Sequence, residues 1–370
     1  MPRPAGPPDM LISGASARAA AVSAARAGLR VAAADLFADR DLAAVADVAV
    51  IEDWPTGIEA WAGRFPASVP FVYVGGMENE PELLDRVAAT RPVLGNVGEP
   101  LRRVRTPETL AELLLTAGLP YPKIDDVLDV GGADPLRRRL VKPRRSAAGR
   151  GIRWWRGLGD SLAEGEYLQE FVEGQPGSAA YLACGDDVEL LGVTEQLLPD
   201  GPPLADAAPF TYVGSITAEG VGTEPLRELG RRLAEAGLRG PFGVDFVWGG
   251  PAGTPRFVPI EVNPRYTAGM EVLELRSGRS FLAEHLRAFA TVSRPKWLST
   301  KEDERCFGKR IVYAPRPLRV GDLPVPSVEE ILAGGPLLAI ADIPAEDTFV
   351  PAGAPVCTVL AVGGSRCECL

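Results

Sequence analysis

Residues 10–35 constrain the fold most strongly. MLISG at 10–14 is a short apolar run ending in glycine, 15–28 is alanine-rich with a glycine stop, and LRVAAA at 29–34 is a second apolar run closed by Asp35. A strand, a helix and a strand in that order cannot make a hairpin. The strands must run parallel, joined by a crossover, and a parallel sheet needs cover on both faces. Residues 48–51 and 71–74 predict further strands, 80–89 a helix and 93–94 a short strand, so 1–103 reads as an open α/β domain.

Beyond it the pattern changes. Thr106 caps a helix whose first turn holds Pro107 and whose stop is Gly118. Strands are predicted at 140–143, 151–155, 167–172, 178–183 and 188–196, helices at 224–236 and 280–291, and a hairpin between 242–248 and 256–262. After about residue 296 proline, glycine and short strands predominate, predicting a small β-rich C-terminal module. A length of 370 residues agrees with two or three domains. The divisions expected are 1–103, 104–295 and 296–370.

Composition excludes several functions. Net charge is −10, which gives no general cationic field for nucleic acid or an anionic membrane. The charge-free run 348–365 is broken by Pro351, Gly353, Pro355, Gly363 and Gly364 and is no membrane helix. The start, MPRPAGPPDM, has no apolar core of a leader, so a cytoplasmic protein is expected. His285 is the sole histidine, which rules out multi-histidine zinc sites and an HExxH protease. Cys184, Cys306, Cys357, Cys367 and Cys369 are odd in number and irregular in spacing, against a disulfide framework; the terminal C-x-C reads as a strand or frayed tail.

Three constellations carry chemistry. Gly14-Ala-Ser-Ala-Arg18, with Asp35 ending the next strand, offers a helix N-terminus and an acid, the elements of a dinucleotide site, but lacks the second and third glycines of that fingerprint. VKPRRSAAGRGI at 141–152 sets Lys142 before a loop of small residues. It is either a phosphate cradle, with backbone N–H groups approaching oxygens, or a basic hairpin. IEVNPR at 260–265 places Glu261 and Asn263 on one strand face, and Asp245 on the partner strand can reach it. Carboxylates plus a carboxamide oxygen suit Mg²⁺ shared with phosphates, and the fork of Arg265 suits an adjacent anion. GGMEN at 75–79, PFTYVGS at 209–215 and YTAGMEVLE at 266–274 are further segments suited to an acceptor pocket, or to aromatic packing of an interdomain seam.

In order and spacing, "VKP…SAAGRGI", "YLQEFVEG", "GPFGVDFVW" and "IEVNPR" resemble ATP-grasp enzymes over roughly residues 104–295. The resemblance implies an α/β chain with an N-terminal parallel-sheet domain preceding a two-part ATP-grasp fold. It implies ATP and Mg²⁺ (Mn²⁺ as a substitute), with Asp245, Glu261 and Asn263 as metal ligands. Lys142, and Arg105 in place of the usual first lysine, would contact the phosphates, and Ser146, Gly149 and Gly151 belong to the loop closing over them. Gln169, Glu170, Phe171 and Val172 would read adenine, the last two through backbone groups. Glu173 and Ser178 are the polar residues nearest a ribose, and Arg265 and Lys142 would stabilise the transferred phosphoryl. Glu78, Asn79, Tyr212, Tyr266 and Glu271 would face the acceptor.

The implied reaction joins a small-molecule carboxylate to an amine through an acyl phosphate, releasing ADP and phosphate, with room for a homodimer and no nucleic-acid or membrane partner. "GGMEN", "PFTYVGS", "EVNPRYTAGMEVLE" and the C-terminal "ADIPAEDTFVPAGAPVCTVLAVGG" are similar to ATP-grasp proteins of one-carbon coenzyme biosynthesis, of the tyramine–glutamate ligase type. The alternatives are a nucleotide-binding module without catalysis, and a dinucleotide-dependent oxidoreductase built on residues 10–35.

Overall fold

The structure, a computed structural model, describes residues 6–125, 138–157, 159–185, 187–201, 208–249, 257–290, 303–333 and 338–370. The first unit holds strands β1 (Met10–Ser13), β2 (Val31–Asp35), β3 (Asp47–Val50) and β4 (Phe71–Tyr73) and helices α1 (Arg18–Arg26), α2 (Arg40–Val45), α3 (Gly57–Ala62) and α4 (Pro81–Ala88). Its sheet is fully parallel in the order β3-β2-β1-β4. The strand expected at 93–94 is a single bridge from Val93 to Phe71.

Asp35 is fully buried and does not await a ribose. Its Oδ2 accepts from the N–H of Ala17 at 2.9 Å, and its Oδ1 from those of Phe37 (3.0 Å) and Ala38 (2.8 Å). The acid fills the α1 N-terminus that a pyrophosphate would need, which removes the basis of the dinucleotide reading.

A helix not expected from the sequence, α5 (Gly98–Arg105), leads into α6 (Pro107–Thr116) through Thr106. Its only buried residues are Leu101 and Val104, too narrow a stripe to stand out among three arginines. The next unit is an antiparallel sheet ordered β5-β8-β6-β7, from β5 (Ile124–Asp125), β6 (Arg139–Pro143), β7 (Arg153–Trp154) and β8 (Glu166–Glu170).

The largest sheet is antiparallel. It contains β9 (Gln175–Cys184), β10 (Asp187–Leu197), β11 (Gly214–Thr217), β12 (Gly240–Trp248) and β13 (Phe257–Asn263), with α7 (Glu224–Glu235) packed against it. Leu226, Leu229 and Leu233 of α7 cluster with Tyr181 and Phe242, whose rings stack at 4.9 Å, and Tyr181 Oη donates to Leu226 O at 2.9 Å. Gly230 is required inside that helix, because a Cβ there would lie 2.6 Å from the Tyr181 ring. Helices α8 (Ala268–Ser277) and α9 (Phe281–Ala290) follow.

The C-terminal segment is β-rich, and its strands β14 (Cys306–Tyr313), β16 (Leu338–Ala341) and β18 (Pro355–Gly363) continue the same sheet: β14 pairs with β11, β18 with β14 and β16 with β18. Strands β15 (Leu318–Arg319) and β17 (Phe349–Val350) form a separate ribbon, and Cys367 and Cys369 lie on a terminal helical turn, not a strand or a frayed tail. Among the described residues no helix is long and apolar enough to cross a membrane.

Buried charges join the three segments. Arg18 of α1 donates to Asp342 (Nε to Oδ1, 2.9 Å) and to Glu271 of α8 (Nη2 to Oε2, 3.1 Å; Nη1 also pairs with Oε1), while Lys309 of β14 donates to Glu271 Oε2 at 2.8 Å. Asp41 accepts from the backbone N–H of Asp342 (2.9 Å) and Ile343 (3.0 Å). Arg18 is only 3% exposed, and removing one member of a buried ion pair leaves its partners uncompensated. Arg18→Ala is therefore expected to lower unfolding free energy by about 3–5 kcal/mol, read from urea unfolding midpoints.

His285 is buried on α9 with Nε2 2.9 Å from Leu94 O, and Nδ1 has no partner. Burial depresses its pKa to about 4, against the hydrogen bond to Leu94, which favours the charged form. The ring is thus a neutral core group. As the sole histidine it gives one imidazole NMR resonance, which should titrate with a midpoint well below 6.5, near 4; a midpoint at 6.5 would place the ring in solvent.

Candidate active site

The centre of the site is set by strand register. In the β12–β13 pair Asp245 lies directly opposite Glu261 and Gly243 opposite Asn263, with a bulge just after Asp245. The three side chains share one face, and Asn263 Nδ2 donates to Asp245 Oδ2 at 3.2 Å. The carboxyls differ. Burial and the nearby Glu261 charge push Asp245 up to about 6, against side-chain hydrogen bonds with Ser178 and Gln196. Burial alone would raise Glu261 too, but the charges of Arg105 and Lys142 and the Arg105 hydrogen bond hold it below its usual value.

Two arginines bracket this pair. Arg105 ends α5 and donates to Glu261 Oε1 at 2.5 Å, to Asn79 Oδ1 at 2.9 Å and to the Ser146 carbonyl at 3.4 Å. Arg265 follows β13 and donates through Nη2 to Glu78 Oε1 at 2.6 Å and to Asn263 Oδ1 at 3.2 Å. Glu78 is 2% exposed; burial would raise its carboxyl, and the charge and hydrogen bond of Arg265 bring it below the ordinary range.

Lys142 is buried on β6, with Nζ donating to Gln169 Oε1 of β8 at 3.1 Å; Gln169 Nε2 in turn donates to Tyr121 Oη at 3.3 Å. The loop after β6 is held in a conformation that requires glycine. Gly149 has φ +73°, and a Cβ on it would stand 1.9 Å from the Phe210 carbonyl oxygen; Gly151 has φ +77°, with Pro143 2.9 Å from its Cβ position. The N–H of Tyr212 donates to Ala148 O at 3.0 Å, so the loop rests on residues 210–212. Arg105, Lys142, Ser146, Gly149 and Glu261 line one cavity, with Tyr121, Tyr167 and Ile260 as further walls.

The expected adenine segment passes beside an aromatic cluster. Trp154 packs edge-on against Phe171 (4.8 Å) and Phe210 (5.2 Å), and the Arg138 guanidinium lies 4.0 Å from the Trp154 ring centroid. Phe171 N–H donates to Arg138 O at 2.9 Å, which narrows the backbone groups of Phe171 to its carbonyl; Glu170 and Val172 flank it in sequence. Sequence reasoning missed Tyr121, Tyr167, Trp154 and Arg138, although the Trp-Trp pair at 154–155 was a visible signal.

The residues expected to face an acceptor divide. Tyr212 shares a 2.8 Å hydrogen bond with Ser215 Oγ. Tyr266 is 4% exposed, packed in the core cluster between the first sheet and the largest one, and its hydroxyl donates to Glu274 at 3.2 Å. Glu271 is bound to Arg18 and Lys309, Glu78 to Arg265 and Asn79 to Arg105. Ser178 faces Asp245 across the β9–β12 pair, which takes it from the ribose side to the acid. All five expected acceptor residues therefore have internal partners, and for Glu78, Asn79 and Glu271 the partner is an arginine, which short acids and amides beside buried guanidinium groups readily engage.

Residues 109–269 match the family model described as an ATP-grasp domain. This segment is an ATP-grasp domain. The family is one of ADP-forming, ATP-dependent enzymes. At 13% identity and TM-score 0.71 the chain is similar to the biotin carboxylase domain dimer of Hydrogenobacter thermophilus 2-oxoglutarate carboxylase in complex with MgADP, ADP and bicarbonate, over 97% of this chain and 87% of that one. It is also similar to N5-carboxyaminoimidazole ribonucleotide synthetase of Thermus thermophilus (18%, TM-score 0.66, 97% and 95%) and to L-amino acid ligase of Bacillus licheniformis (15%, TM-score 0.66, 97% and 94%). At these identities the likeness establishes the shared fold. The comparison with curated proteins returned no match.

Among the described residues no three His, Cys, Asp or Glu side chains gather as a metal cage. Two carboxylates and a carboxamide oxygen are a hard but incomplete donor set, which fits Mg²⁺ completed by nucleotide phosphates. Gly149→Ala, which must lift the ATP-grasp loop off Phe210, should weaken Mg·ATP at least about tenfold by calorimetry; unchanged affinity would mean the loop does not cover the nucleotide.

Proposed function

We propose that the protein is a carboxylate–amine ligase that activates a small-molecule carboxylate as an acyl phosphate. The observation that carries this is the convergence of Arg105, Lys142, Ser146, Gly149 and Glu261 on one cavity beside the Asp245–Asn263–Arg265 cluster. In this reading Arg105 and Lys142 bind the phosphates, and the backbone of the 146–151 loop closes over them. Phe171 and Val172 present backbone groups to adenine, with Gln169 and Glu170 beside them. Mg²⁺ held by Asp245, Glu261 and Asn263 would neutralise charge on the β- and γ-phosphate oxygens.

A carboxylate oxygen of the substrate attacks the γ-phosphorus of ATP, the bond to the β-bridging oxygen breaks, and ADP leaves. The amine nitrogen then attacks the acyl carbon, loses its proton, and expels phosphate. Arg265 and Lys142 stabilise charge that develops on the transferred phosphoryl, and the closed loop keeps water from the acyl phosphate. No covalent protein nucleophile is required, in keeping with a neutral, buried His285. In this reading Tyr212, on the segment beneath Gly149, meets the acceptor. Glutamate as the carboxylate, a tyramine-like amine and a place in one-carbon coenzyme synthesis rest on sequence resemblance alone.

The test is a screen of carboxylate and amine pairs for ADP release, with hydroxylamine replacing the amine to trap a hydroxamate. Glu261→Gln should abolish ADP formation while the protein stays folded. Arg265→Ala should slow hydroxamate formation about 10²–10³-fold, the usual loss for one preorganised charged donor. Release of AMP and pyrophosphate would overturn the proposal.

A further inference from the structure

The short turn that ends β4, Met77–Asn79, belongs to the first domain, yet its two polar side chains end on the two arginines of the ATP-grasp site. Glu78 takes Arg265, and Asn79 takes Arg105. Asn79 is bifunctional: its Oδ1 accepts from Arg105 Nη2 at 2.9 Å, while its Nδ2 donates to the Ser146 carbonyl at 3.1 Å. Arg105 Nη2 reaches the same carbonyl at 3.4 Å. One carboxamide thus joins the first domain, the arginine that pairs with Glu261, and the first residue of the glycine loop.

We propose that Asn79 is a positioning residue that fixes the 146–151 loop and Arg105 together, and is not a substrate contact; Glu78 does the same for Arg265. The nucleotide-binding half of this inference rests on the ATP-grasp reading above, but the loop half does not. The chemistry of the contacts supports it. An amide accepts from a guanidinium with one atom and donates to a carbonyl with the other; aspartate lacks the donor and serine the reach. Glu78 is buried, and its ionised form is maintained by Arg265, so a guanidinium is fixed where it would otherwise sample several rotamers.

The two contacts of Asn79 can be separated. Asn79→Asp keeps the acceptor for Arg105 and loses the donor to Ser146; Asn79→Ala loses both. Deuterium exchange of the amides at 146–152 is measured in the ligand-free full chain, and Mg·ATP affinity by calorimetry. Both variants should speed exchange in that segment about tenfold, the effect of one lost hydrogen bond, with exchange in the β1–β4 sheet unchanged. Asn79→Ala should also weaken Mg·ATP about tenfold. Wild-type exchange at 146–152 in both variants overturns the proposal, even if nucleotide still binds. Accelerated exchange with no Mg·ATP binding in the wild type would retain the latch and defeat the ATP-binding reading. If Asn79→Ala does not fold, Asn79→Asp alone decides the loop contact.

Discussion

Two carboxylates placed directly opposite each other on adjacent strands are a liability that the surrounding structure must offset. The register that pairs Asp245 with Glu261 creates this liability, and much of the site follows from it. Arg105 meets Glu261, the charge of Lys142 adds to it, and Asp245, with hydrogen-bonding neighbours Ser178 and Gln196, bears the remaining cost as a raised pKa. Arg265 would bring a further unbalanced charge were it not matched by Glu78. The cluster is close to electroneutral, with acids Asp245, Glu261 and Glu78 against bases Arg105, Lys142 and Arg265.

The fold was legible in the sequence wherever a residue pattern was local. The β-α-β start, the helix opening at Pro107 and the strand that carries IEVN all follow from periodicity and backbone chemistry, and each appears in the structure, although the Thr106 side chain makes no capping hydrogen bond and burial does not alternate along IEVN. Helix α5 escaped because two buried residues in eight do not make a visible stripe. Asp35 stayed ambiguous in the sequence for a related reason. A carboxylate at a strand end near a helix start is the same signal whether a ligand or the helix itself receives it, and only the three N–H groups around it decide.

Within the site, the loop, Lys142 and the Asp245–Glu261–Asn263 group could be located from spacing, because each lies on one strand or one hairpin. The destinations of Glu78, Asn79 and Glu271 could not. Their partners Arg265, Arg105, Arg18 and Lys309 are far away in sequence, and no periodicity links them. Polar residues at strand ends of an α/β domain can face a ligand or a neighbouring domain, and Glu78 and Asn79 are bonded to arginines of the neighbouring domain.

The continuation of one sheet from β13 to β16 has a consequence for how this chain could be divided. Strand β14 covers the edge of β11, and Lys309 on β14 completes the charge of Glu271. Cutting the chain before β14 would uncover a row of unpaired N–H and C=O groups on β11, a surface that invites pairing with another molecule. It would also strand Arg18 and Glu271 without two of their counter-charges, Asp342 and Lys309. A graft, a fusion or a truncation must therefore carry the whole sheet, and insertions belong in loops that cross none of its edges.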